Sequence, residues 1–170
     1  MKVVLEYVPK ILADPKDYDA RANIMWASSM ALAGFQFMLG KPMFPFPLHG
    51  MGHELSSMYD MTHGVTLALL TPSWMRHTMR TVPQYLPIFA RFARNVFDIR
   101  EDDDAIAAEE GVRQLKDFYT AIRMPANLRD AGVREEDLET IAEKAVERGN
   151  LGILTSIGKK EAVQIMRDAF

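Results

Sequence analysis

The sequence predicts an all-α protein. Apolar residues recur at three- and four-residue spacings through most of the chain, and no stretch alternates apolar and polar residues as a half-buried strand would. No glycine-rich phosphate loop joins a strand to a helix, so no dinucleotide-binding βαβ unit is present. With 170 residues, 48% of them apolar and 25% charged, residues 1–170 have the size and composition of a single all-helical domain.

Each element follows from local patterning. Residues 2–13 place Val4, Val8, Ile11 and Leu12 at helical spacing; Pro9 should kink or shorten that helix, and Asp14-Pro15 ends it. From Asp17 to Gly34, Ile24, Trp26, Ala27, Ala31 and Leu32 describe a helix apolar around most of its circumference, the pattern of a core helix. The run GKPMFPFPL, residues 40–48, holds its residues extended before each proline and forms an approach loop. Its Phe44 and Phe46 either line a pocket or pack in the core. A helix over Leu48–Tyr59 follows, then a turn at Asp60. Thr62 is placed to cap the next helix, with His63 in its first turn and Val65, Leu67, Ala68 and Leu70 behind.

Thr71-Pro72 should separate that helix from another over Trp74–Met79, and Pro83 starts an apolar stretch running through Phe89 to Phe97. Asp102–Ile122 is amphipathic, with Ile106, Val112, Leu115, Phe118, Tyr119 and Ile122 inward. The acidic EDDD run at its start suits a helix N-terminus better than a metal site. Pro125 and Leu128 begin a short segment, Ala131-Gly132-Val133 turns the chain, and helices over Glu135–Arg148 and Lys159–Ala169 close it.

Composition removes several function classes. A net charge of −3 with scattered Lys and Arg gives no basic stripe for nucleic acid or an anionic membrane. No segment reaches the eighteen or so apolar residues of a membrane span, and the first residues do not read as a signal peptide, so a cytoplasmic location is expected. The chain has no cysteine, which excludes disulfides, thiolate metal sites and cysteine nucleophiles.

Chemistry is concentrated in one stretch. His49, His53 and His63 are three of only four histidines. On a helix, a spacing of four puts His49 and His53 on one face, and His63 can return to the same place from a second element. Convergent neutral imidazoles suit zinc, iron or cobalt, not magnesium or calcium. A structural role in core or surface is the competing reading of the same three residues.

The segment HGMGHELSSMYDMTHGVTLALLTP is similar to the histidine segment of iron-containing alcohol dehydrogenases, in particular the NAD(P)H-dependent butanol dehydrogenase and aldehyde reductase branch. DYDARANIMWASSMALAG resembles the helix that precedes it there, and GNLGILTSIGKKEAVQIMRDAF resembles that branch's ending. The resemblance implies the helical C-terminal domain of the dehydroquinate synthase-like, iron-containing alcohol dehydrogenase fold, without the α/β nucleotide domain that completes it. It implies Fe(II) or Zn(II) at a site to which His49 and His63, fourteen positions apart, contribute, weakly held or absent in these 170 residues. His53 would face the nicotinamide of NAD(P) and join the proton path, which makes it both the catalytic and the cofactor-facing residue.

In that family an Asp and a His complete the metal site, and these should lie upstream of Met1 together with the pyrophosphate loop. The implied activity is interconversion of primary alcohols and aldehydes. The implied partners are a complementing N-terminal nucleotide-binding domain, a small aldehyde or alcohol, and a second copy in a homo-oligomer. The chain alone should be inactive. The rival from another class is a catalytically inactive helical remnant serving as a structural or interaction module. Glycerol dehydrogenases and dehydroquinate synthases share the architecture, but the histidine segment and RANIMWA favour the alcohol dehydrogenase branch.

Overall fold

A computed structural model describes residues 1–33, 47–152 and 155–170. The fold is all-α, as the patterning predicts. Among the described residues there are eight α-helices, two 3-10 turns and, in place of any sheet, one isolated antiparallel bridge between Leu151 and Ile157. The chain divides into two compact units, Met1–Met43 and Phe44–Phe170.

The first unit is a pair of packed helices, α1 (Lys2–Ala13) and α2 (Tyr18–Leu32). Helix α1 runs through Pro9 without ending there. Asp17 starts α2, its carboxylate accepting from the Ala20 amide at 2.9 Å. The core-helix expectation for this segment fails: Ala20 is the one buried residue of α2, while Trp26 is 69% and Leu32 84% exposed. A single neighbouring helix can cover only one side of a cylinder that is apolar all round.

The second unit contains α3 (Pro47–Tyr59), α4 (His63–Thr81), α5 (Leu86–Phe97), α6 (Asp104–Ala121), α7 (Leu138–Ala145) and α8 (Lys159–Arg167). Helix α4 is its axis, touching α3, α5, α6 and α8. Two cores form on either side of it. Met51, Leu55, Leu70, Ile141, Ile165 and neighbours make the larger. Met75, Phe89, Ala90, Val112 and Leu115 make the second, and Trp74 packs against both.

Three further expectations are corrected in this unit. Pro72 does not divide α4, which continues to Thr81. Proline removes one amide donor from the ladder, but Pro72 is buried in the packed unit and the Thr71 hydroxyl donates to the Leu67 carbonyl at 2.6 Å, so surrounding contacts hold the helix across it. Ile106 faces outward at 58% exposure, because the inward face of α6 is built from Ala107, Ala108 and Gly111. A Cβ on Gly111 would lie 2.5 Å from that of Ala93, which is how closely α5 and α6 approach. The helix expected over Glu135–Arg148 opens as a 3-10 turn at Glu135–Asp137 and ends at Ala145. The chain then turns, with Gly149 in the left-handed region at φ 118°.

The acidic run does open a helix: Asp103 accepts from the Ala105 and Ile106 amides at 2.8 and 3.1 Å. Phe44, Phe46 and most of the approach loop lie outside the described residues.

Candidate functional site

The site is made where α3 meets the start of α4. Pro47 occupies the first helical position of α3, where a missing amide proton costs nothing. His49 and His53 follow on one face, a turn apart, with ring centroids 5.8 Å from each other. After Tyr59 the chain reverses through Asp60, whose φ of 49° is a left-handed conformation that Asp tolerates. Tyr59 anchors this corner: its hydroxyl donates to Asp137 and accepts from the Arg134 amide at 3.0 Å. Thr62 is the N-cap residue of α4, but its side chain makes no capping bond.

His63 is therefore the first residue of α4, and it closes the triangle. Its ring lies 5.1 Å from that of His49 and 4.6 Å from that of His53. The three sequence-predicted site residues are thus brought together, with His53 exposed and the other two half-buried.

The electrostatics favour a neutral ring at His49. Burial, then the neighbouring His63 and His53, hold the His49 pKa below its ordinary value, so its lone pair is available at neutral pH. Both nitrogens of His63, Nδ1 and Nε2, are buried and make no hydrogen bond among the described residues. An imidazole nitrogen serves either as an N–H donor or as a lone-pair acceptor, and neither of these two has a partner among the described residues.

That orphaned pair tests whether a metal suits the site. A buried nitrogen lone pair facing a second imidazole is the donor chemistry that zinc or iron(II) takes, so the residues present fit such an ion as two of its ligands. They do not fit it as a full set. Among the described residues, no group of three or more His, Asp or Glu side chains could hold a metal ion.

Two features here are not legible as motifs. Gly52 lies between the histidines and is buried, and Thr66 is fully buried one turn into α4. The glycine within a helical pattern is the only sequence signal that could have drawn attention to either. Ser56 Oγ and Trp74 Nε1 are further buried polar atoms without partners among the described residues.

A helical domain with imidazoles gathered at a helix–helix corner belongs to a recognisable class. The description "Fe-containing alcohol dehydrogenase family, C-terminal" matches residues 1–170, and the chain belongs to that family. Within it the chain stands close to the butanol dehydrogenases. NADH-dependent butanol dehydrogenases A and B of Clostridium acetobutylicum are 34% and 36% identical to it, over 100% and 98% of this chain. The crystal structure of NADH-dependent butanol dehydrogenase A from Thermotoga maritima superposes with a TM-score of 0.88 at 26% identity, over 99% of this chain. In each case the chain spans 43% of the other protein's length. The match is to the C-terminal region, and it is an oxidoreductase family.

Proposed function

We propose that these 170 residues are the helical, metal-site half of an alcohol dehydrogenase that interconverts primary alcohols and aldehydes with NAD(P)(H). The observation that supports this most is the meeting of His49 and His63, ring centroids 5.1 Å apart, with both nitrogens of His63 buried and unpartnered among the described residues. When bound, the metal would supply Lewis acidity at the substrate oxygen. The chain's own contribution is placement: His49 and His63 would offer two nitrogen donors. His53, the exposed member, would accept or return the proton at one ring nitrogen, as an imidazole can near neutral pH.

The proposed partner is the nucleotide-binding half that the family resemblance implies. Within this reading residues 1–170 act as one helical domain, in a cytoplasmic setting, and the assembled enzyme is a homo-oligomer. No helix among the described residues is long and apolar enough to cross a membrane.

A second reading has its own support. Because no group of three or more candidate ligands is found among the described residues, the chain by itself is better read as a catalytically inactive helical module with structural or interaction roles. The two readings separate on reconstitution. Butyraldehyde reduction is measured with NADH or NADPH, first with the 170 residues alone and then with a nucleotide-binding half from a butanol dehydrogenase, fused or added. Turnover only in the combined sample supports the first reading, and its absence there supports the inactive module. Turnover by the 170 residues alone overturns both.

A further inference from the structure

We propose that Gly52 and Thr66 are a matched steric pair that sets how closely α3 approaches the first turn of α4, and so positions the three histidines against one another. The inference rests on reading His49 and His63 as metal donors, and it names positioning residues for that site.

The geometry is specific. A Cβ added to Gly52 would stand 2.8 Å from Thr66 Oγ1, closer than real Cβ atoms come to other atoms, 3.3 Å from Leu67 Cδ2 and 3.6 Å from His63 Cε1. The hydroxyl cannot simply swing aside. Thr66 is 0% exposed, and its Oγ1 donates to the His63 carbonyl at 2.8 Å, which fixes the side chain in the orientation that faces Gly52. Leu67 Cδ2, by contrast, is the end of a flexible side chain and can give a few tenths of an ångström. The obstacle to a Cβ at position 52 is therefore chiefly one atom, the Thr66 hydroxyl oxygen.

Its position makes that contact consequential. Gly52 immediately precedes His53 and follows His49 by three residues, while Thr66 is bonded to the backbone of His63 itself. Any separation forced at this contact opens the gap between the His49 and His53 rings on one helix and the His63 ring on the other, now 5.1 and 4.6 Å. The pair thus couples interhelical packing to the donor geometry.

Two measurements on the full chain test this. Cross-ring nuclear Overhauser contacts report the spacing of His63 to His49 and His53 without any metal, and titration with Zn2+ reports the donor pair. Gly52→Ala is expected to weaken the cross-ring contacts and to lower Zn2+ affinity about 10- to 100-fold, the range seen when groups that orient metal ligands are lost. Removing the obstructing oxygen should undo the damage, so Gly52→Ala with Thr66→Ala is expected to recover both signals. Gly52→Ala with Thr66→Val, which restores the bulk, is not.

The pairing is overturned if Gly52→Ala leaves the cross-ring contacts unchanged, or if the double alanine variant fails to restore them. Should Gly52→Ala not fold, the double alanine variant decides: folded with the contacts restored supports the pair, and unfolded or folded without them overturns it. Failure of the metal reading looks different. In that case unaltered protein binds no Zn2+ while the cross-ring contacts still respond to the substitutions as expected, and the positioning role stands on those contacts.

Discussion

The two ends of α4 carry the same residue in two kinds of surroundings. The ring of His63 at the N-terminal end lies against those of His49 and His53, and both its nitrogens are buried without hydrogen-bond partners among the described residues. His77, fourteen residues on and 7% exposed, stands among the charges of Arg80, Glu161 and Asp168. Burial is common to both and so does not mark a site. The distinction lies in whether the lone pair is left facing other donors or is embedded in a field of compensating charges, and only the first arrangement is suited to an added cation.

Removing donors at the N-terminal end should have the largest effect. In the reconstituted enzyme, His49→Ala or His63→Ala is expected to cost two orders of magnitude or more in aldehyde reduction together with bound metal, on the order of the ~100-fold losses attached to metal-site disruption. His53→Ala should lower turnover while retaining most of the metal, because its proposed task is proton transfer. Metal analysis beside steady-state rates checks this. Equal metal loss in all three variants would make His53 a ligand and remove the separate role.

The C-terminal half offers the control for an orphaned buried group. Thr78 is 0% exposed and its Oγ1, like the His63 nitrogens, has no partner among the described residues. If that hydroxyl has no ligand to meet, it is a desolvated polar group, and the isosteric Thr78→Val should stabilise the fold by about 1 kcal/mol. The Arg80–Asp168 ion pair is exposed on the arginine side, so Arg80→Gln should cost no more than about 1 kcal/mol. Urea unfolding measures both. A destabilised Thr78→Val would mean that the hydroxyl is used, and would blur the contrast between the two ends of the helix.

Sequence patterning made the site legible and left its surroundings obscure for a physical reason. The i, i+4 spacing of His49 and His53 is a property of one helix, and a cap residue before His63 marks the next, so both placements are local and could be read directly. Pro72 is read as a break because local propensity says so, yet α4 passes through it in a packed unit that supplies contacts no window of sequence contains. Ile106 is assigned inward because it is large and at helical spacing. It faces out because Ala107, Ala108 and Gly111 allow a closer approach than a large residue would. Trp26 and Leu32 show the same limit: an apolar sequence calls for burial, and the described partner of α2 covers only part of it.

The smallest and most particular effect should be a pH dependence belonging to His77. Burial first, and then the positive charge of Arg80, hold its pKa below the ordinary 6.5, against the weaker opposing pull of Glu161 and Asp168. The folded state therefore keeps this imidazole neutral at a pH where the unfolded chain protonates it. The unfolded state binds more protons in that interval, so stability is present in full above about 6.5 and is lost as pH falls through the lower, folded value. Glu110, held down to about 2 chiefly by Arg113, titrates well beneath this window. His49 is also lowered and contributes to the same slope. The informative quantity is thus the difference between unaltered protein and His77→Gln, measured by urea unfolding between pH 7.5 and 5.5. The variant should lose part of the slope, and Arg80→Gln, by removing a charge that depresses His77, should flatten it in the same direction by less. An identical slope in all three proteins would assign the pH dependence to groups other than His77, His49 among them, and would remove His77 from the account.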